Sequence, residues 1–205
     1  MPRVRQQEGG KADGGQEGAD LVHSHDAPMV GQNTKDGRAD RRYAEGQTEK
    51  HYLALVCGKW NLGTKRIELA LDTDERRSGE RHVAVRAHGK KSVSTFKPVQ
   101  FFGNLATLLE VEIDTGKTHQ IRVHAAHAGH PVAGDVKYGN RIFNDIFKDY
   151  GLKRMFLHSS SLGFTRPGTR EPMLASAPLP PELGAVLDTL TRGRARAPQD
   201  ERGRT

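Results

Sequence analysis

Between Val93 and His124 the hydrophobic period changes once, and that change constrains the fold more than any other part of the chain. Residues 93–102 and 105–113 are rich in strand formers and are separated by Gly103-Asn104, a dipeptide suited to joining antiparallel strands, so a hairpin is expected. In its second arm Leu105, Thr107, Leu109, Val111 and Ile113 alternate with Ala106, Leu108, Glu110 and Glu112. One face should therefore be buried, and the other should turn polar towards its end. After Asp114-Thr115-Gly116 the spacing becomes helical. Thr118 is the expected N-cap of a helix over 119–128, with Gly129 as its left-handed stop and Pro131 just beyond. Ile121, Ala125 and Ala128 then share one face, which leaves His119 and Arg122 on a less buried neighbour.

Further strands are expected at 51–57, closed by Gly58, and at 155–165, followed by a turn at Arg166-Pro167-Gly168 and a return strand at 171–175. Pro180-Pro181 open a helix in which Leu183, Val186, Leu187 and Leu190 form one stripe. The expected class is α+β, a mixed, mainly antiparallel sheet with a few helices. Residues 1–47 hold eight glycines, seven Lys/Arg and eight Asp/Glu, with no sustained apolar period, so they read as a disordered or aberrant leader. Residues 191–205 read as a basic disordered tail, and the folded domain is expected at 48–190. The chain's net charge of +7 therefore belongs to the folded part and points to a polyanionic partner. No apolar run approaches the ~20 residues that cross a bilayer. Cys57 is the only cysteine, so neither an internal disulfide nor a cysteine-rich zinc site is available, and the cytoplasm is the expected compartment.

The segment from Asp114 to His124 (DTGKTHQIRVH) carries the most chemistry. A strand that ends in a Gly-containing turn and feeds a helix start aims backbone N–H groups at one point, where Lys117, His119 and Arg122 add donors. Such a point suits an anion, although solvated charges on an ordinary connection would look the same. A nucleotide phosphate loop needs a second glycine five residues before Gly116, and that position is Val111. His124, His127 and His130 recur every third residue, but the third drifts off the shared face and no cysteine joins them, so no metal site is expected.

Residues 115–124 (TGKTHQIRVH) resemble the T-G-R-T-H-Q-I-R-x-H signature of the RluA-type pseudouridine synthases, with Lys117 in place of the usual arginine. Lys50, Tyr52, Ala54 and Val56 resemble that family's K-x-Y-x-A-x-V strand, and 129–135 (GHPVAGD) with Tyr138-Gly139 resemble its G-H-P-[IV]-x-G-D-x-x-Y-G segment. Residues 89–94 (GKKSVS) and Leu157-His158 match two shorter strings in the same order. The resemblance implies a partial pseudouridine synthase catalytic domain, incomplete at its N-terminal side. It implies isomerisation of uridine in RNA, 23S-type ribosomal RNA, by a monomer that uses neither metal nor small-molecule cofactor. Arg122 would pair with a catalytic aspartate and Tyr52 would stack on the uracil, while Lys50, Lys117, His119, Gln120, Lys137 and Tyr138 would contact RNA. The family's aspartate lies in an H-R-L-D-x-x-T-S-G string that this sequence lacks. Asp26, in His23-Ser24-His25-Asp26 followed by Gly31, matches it only in part, and Leu71-Asp72 falls on the wrong side of Tyr52. The expectation is a domain of this family that lacks its catalytic aspartate, or else an RNA-binding remnant without turnover.

Overall fold

Residues 53–57 are apolar at every position because the strand that contains them is covered on both faces. The computed structural model describes residues 48–75, 81–166, 168–169 and 171–196. In it this run belongs to β1 (Glu49–Cys57), which lies between β5 (Ala106–Ile113) and β6 (Leu157–Thr165). The remaining strands are β2 (Lys65–Glu75), β3 (Arg81–Val85), β4 (Lys90–Phe102) and β7 (Pro172–Ser176). They form one seven-stranded sheet in the order β3-β2-β4-β5-β1-β6-β7, with each neighbouring pair antiparallel. The helices are α1 (Gln120–His127), α2 (Arg141–Asp149) and α3 (Pro181–Arg196). The class is α+β, as expected. No helix among the described residues is long and apolar enough to cross a membrane.

Two core layers sandwich the middle of the sheet. On one face Leu55, Cys57, Phe102, Ala106 and Leu108 pack with Phe147 of α2 and with Leu183, Val186 and Leu190 of α3. On the other, Ala54, Val56, Phe96, Leu109 and Val111 pack with Trp60 and with Ile121 and Ala125 of α1. Successive strand residues point to opposite faces, so a strand with two covered faces is apolar throughout. The alternation expected along β5 is therefore seen only in its second half, where Glu110 and Glu112 are partly exposed; residues 106–109 are all buried. Thr107 is buried there as well, its hydroxyl donating to the Gly58 carbonyl and accepting from the Trp60 N–H, each at 3.0 Å.

The hairpin of β4 and β5 forms as the sequence suggests, closing at Phe102 opposite Ala106 with Gly103 at φ 59°. Three details differ from the sequence reading. Helix α1 starts one residue late, and its N-cap is His119 at φ 54°, not Thr118. Helix α3 continues to Arg196, so the first six residues of the expected tail are helical. There the Thr191 hydroxyl donates to the Leu187 carbonyl at 2.9 Å, and Gly193 fits against Tyr150, whose Cε1 would lie 3.3 Å from an added Cβ. The β2–β3 hairpin and α2 were not anticipated at all. The expectations for 1–47, Asp26 included, and for 197–205 fall outside the described residues.

A buried histidine ties α1 to the sheet. Ser92 Oγ donates its single proton to the Leu69 carbonyl at 2.8 Å, so at 2.9 Å it accepts from His124 Nε2–H. That tautomer leaves His124 Nδ1 as an acceptor without a hydrogen-bond partner among the described residues. Burial, reinforced by His127, pushes the ring from 6.5 down to about 4. Because the unfolded chain takes up this proton at higher pH than the folded one, stability falls as pH drops from 6.5 to about 4 and is flat above. The loss should be on the order of 3 kcal/mol. Urea unfolding across that window should show it, and His124→Gln should shrink it; an unchanged loss in the variant would remove His124 as its cause.

Candidate functional site

The entry to α1 is a turn whose side-chain bonding groups are filled from within the fold. Gln120 is 2% exposed. Its Oε1 accepts from Thr115 Oγ1 at 2.8 Å and from the Lys117 N–H at 3.0 Å. Its Nε2 donates to the Val93 carbonyl at 2.8 Å and to Ser94 Oγ at 2.9 Å. Those four bonds use the whole capacity of a primary amide, so Gln120 locks the Thr115-Gly116-Lys117 turn to β4. It was expected at an RNA interface; the geometry makes it a positioning residue inside the fold.

His119 caps the helix in the left-handed region, a conformation that costs a non-glycine residue roughly 1–2 kcal/mol. The cap is held by ring contacts: His119 Nδ1 lies 3.0 Å from Tyr138 Oη, and the two rings meet edge-on at 5.5 Å. Burial lowers the pKa of His119, and the neighbouring charges of Arg122 and Lys137 lower it further. The ring is therefore neutral near pH 7, and its Nδ1 shares one hydrogen bond with the Tyr138 hydroxyl. Tyr138 Oη in turn accepts from the Val83 N–H at 2.9 Å, which fastens β3 to this corner.

One turn into α1, Arg122 makes a two-pronged ion pair with Asp135. Its Nε donates to Oδ2 at 2.7 Å and its Nη2 to Oδ1 at 2.8 Å. Asp135 Oδ1 also accepts from the N–H groups of Lys137 at 2.9 Å and Tyr138 at 3.0 Å. Burial alone would raise the Asp135 carboxyl, but the bonds from Arg122 and the two backbone donors outweigh it, and the group is held below the usual carboxylate range. The same pairing raises Arg122. The guanidinium also lies over the Tyr138 ring, 4.9 Å from its centre, with His82 tilted against that ring at 5.8 Å.

The loop carrying Asp135 is itself pinned to α2. Asn144 Oδ1 accepts from the Gly134 N–H and its Nδ2 donates to the Asp135 carbonyl, both at 2.9 Å. Gly139 closes the loop so tightly that an added Cβ would lie 1.8 Å from the Asp135 carbonyl oxygen. The outcome is a fixed, permanently charged guanidinium beside a neutral imidazole. Two of its three nitrogens are committed to Asp135, and Nη1 lies outside that pair.

Of the residues singled out in the sequence, Arg122, His119, Tyr138 and the Lys137 backbone converge on Asp135. Tyr52 packs against the apolar cluster that α1 closes, which places its ring on the same side of the sheet as that helix. Lys50 is half-buried on β1 and donates to the Thr48 hydroxyl. Lys117 is exposed and lines, with Asp72, Thr73, Lys90 and Thr118, a separate cleft of about 300 Å³. His124, His127 and His130 occupy three different settings: buried on Ser92, exposed, and bonded through Nδ1 to the Cys57 carbonyl at 2.9 Å. Asp135, His82 and Asn144 were not singled out. The one local cue for Asp135 was that an aspartate can accept from backbone N–H groups two or three residues on, as it does here.

A family model described as RNA pseudouridylate synthase matches residues 33–127. Ribosomal large subunit pseudouridine synthase C of Yersinia pestis is 47% identical over 144 residues, covering 70% of this chain and 45% of that protein. The protein of the same name from Escherichia coli (strain K12) is 43% identical over 148 residues, covering 71% and 46%. The chain thus spans about half the length of the curated relatives it matches. Among solved structures, Human RNA Pseudouridylate Synthase Domain Containing 1 superposes with a TM-score of 0.56 at 26% identity, over 79% of this chain and 71% of that one. Human RNA Pseudouridylate Synthase Domain Containing 4 shares the fold, with a TM-score of 0.55 at 19% identity, over 74% and 65%.

The Arg122 and Asp135 side chains are 15% and 0% exposed. Removing one partner of such a pair strands a buried charge, which costs about 3 to 5 kcal/mol. Asp135→Asn should therefore lower the urea unfolding free energy by that order. A loss below about 1 kcal/mol would show that the pair does not organise this corner.

Proposed function

The chain belongs to the RNA pseudouridylate synthase family, and from that premise we propose that it serves, as a monomer, the isomerisation of uridine to pseudouridine in large-subunit ribosomal RNA. The observation that carries the reading is the pairing of Asp135 with Arg122, which α1 carries on the same side of the sheet as Tyr52. The reaction breaks the bond from uracil N1 to ribose C1′, turns the base, and joins C5 to C1′. The proton leaves C5 and N1 regains one, so atoms and electrons balance without an oxidant or cofactor. An extruded base needs a ring face to rest on and a fixed charge near the reacting carboxylate. In this reading Tyr52 is the ring and Arg122 the charge.

The nucleophilic or proton-removing carboxylate has to come from elsewhere. Asp135 is fully buried and accepts four hydrogen bonds, so it orients Arg122 and is not free to attack C1′. That occupancy favours a second reading, RNA binding without turnover by the chain as it stands.

Two measurements on the full chain test these readings. In fluorescence anisotropy with a fragment of large-subunit RNA, Tyr52→Ala should lose a stacking contact of about 1 to 3 kcal/mol, a weakening of roughly 5- to 150-fold. Arg122→Ala should weaken binding as well. With RNA tritiated at uridine C5, isomerisation by this chain releases tritium and RNA binding without turnover releases none. Release that Asp26→Asn abolishes would put the nucleophile within 1–47 and exclude the non-catalytic reading. RNA binding indifferent to both Tyr52→Ala and Arg122→Ala would overturn the proposal.

A further inference from the structure

The loop 134–139 has two sides with different work. Asp135 and Tyr138 face Arg122, while Gly134, Val136 and Gly139 line a cleft of about 440 Å³ against α2 and the segment 152–154. Arg141, Lys148, Lys153 and Arg154 line that cleft, opposed by Asp145 alone. Lys148 pairs with Asp145 at 2.7 Å, and Arg154 leans on Glu182 at 3.3 Å. Among the described residues Arg141 and Lys153 make no ion pair, and Asp145, already bonded to Lys148, is the only lining carboxylate near Arg141, so the cleft carries an excess of positive charge. An excess of like charge around a concave surface is unfavourable until an anion fills it.

We propose that this cleft is a second RNA-binding site, one that holds backbone phosphates of the strand whose uridine lies at Arg122. The proposal rests on the function inferred above. A phosphodiester chain carries one negative charge per nucleotide, so a strand anchored at one cationic point presents its next charges to a neighbouring one. The cleft is such a neighbour, because a single six-residue loop forms part of both. Val136, 94% exposed on the cleft wall, separates RNA from a free anion as the occupant. Inorganic phosphate gains nothing from an apolar side chain, whereas a ribose or base edge can lie against it. Ligand and clamp are also mechanically joined: Asn144, in the cleft lining, bonds both the Gly134 N–H and the Asp135 carbonyl. A strand seated there would press on the same loop that orients Arg122.

The test uses the full chain with Arg141→Ala and Lys153→Ala combined. Anisotropy with a large-subunit RNA stem-loop is recorded over a series of salt concentrations. Each lost phosphate contact lowers the slope of log affinity against log salt by about 0.7 to 0.9, so the double variant should lose about 1.4 to 1.8 of the wild-type slope. The urea midpoint should not move, and Lys153→Gln alone, a milder change, should lose about half as much slope. Wild-type binding with an unchanged slope in the double variant overturns the cleft and leaves the Arg122 reading standing. Failure of the wild type to bind RNA at all sinks that reading and the cleft with it. Inorganic phosphate that competes with RNA in the wild type at millimolar levels, with the slope unchanged in the variant, would assign the cleft to a free anion and also overturn the proposal.

Discussion

The structure around α1 depends on one carboxylate kept charged where no water reaches it. Asp135 is tolerated at zero exposure because Arg122 and two backbone N–H groups fill its oxygens, and each of those donors is held by something else. Arg122 is carried by a helix whose first turn Gln120 fixes to β4. The loop is fixed to α2 by Asn144. Tyr138, whose own N–H is one of the donors, reaches across to β3 and to His119. Losing the ion pair would therefore loosen four elements together, and a mixed charged and aromatic network of this kind is worth more than its pairwise bonds suggest.

The elements with an unambiguous period were legible in the sequence. The β4–β5 hairpin was marked by Gly103-Asn104, and α3 by its leucine and valine stripe. The β2–β3 pair was missed although Ile67, Leu69 and Leu71 alternate with Arg66, Glu68, Ala70 and Asp72, because β3 is five residues long and its large apolar side chains are Val83 and Val85. Helix α2 begins with Asn140 accepting from the N–H groups of Ile142 and Phe143, a readable cap. Its apolar content is partly wasted on solvent, however: Ile142 is 72% exposed and only Phe147 is buried. Periodicity reports burial, and it fades where burial is partial.

At the site, the sequence located single residues along the chain and missed how they pair. Arg122 was placed correctly one turn into a helix. The expectation for Gln120 followed from the motif it sits in, whereas its place at a crowded helix start consumes every side-chain bonding group it has. Asp135 was quoted within a motif without a role, because its partner lies thirteen residues away across a glycine-bearing loop. Such a pairing depends on how the loop closes, and closure is a tertiary property. The left-handed cap at His119 belongs to the same class: nothing local favours it, and its compensation comes from Tyr138.

The placement of Tyr52 has one more consequence. Its strand is an interior one, paired on both sides, and its ring is partly buried against the cluster under α1, so the platform it offers is held by the sheet. In the proposed complex all the motion would fall to the nucleic acid, which would have to bring its nucleotide to an unyielding platform. Selectivity would then come from how cheaply a given uridine abandons its stacking neighbours. Nucleotides in hairpin loops and bulges would be favoured over those in continuous duplex before any side chain had read a base.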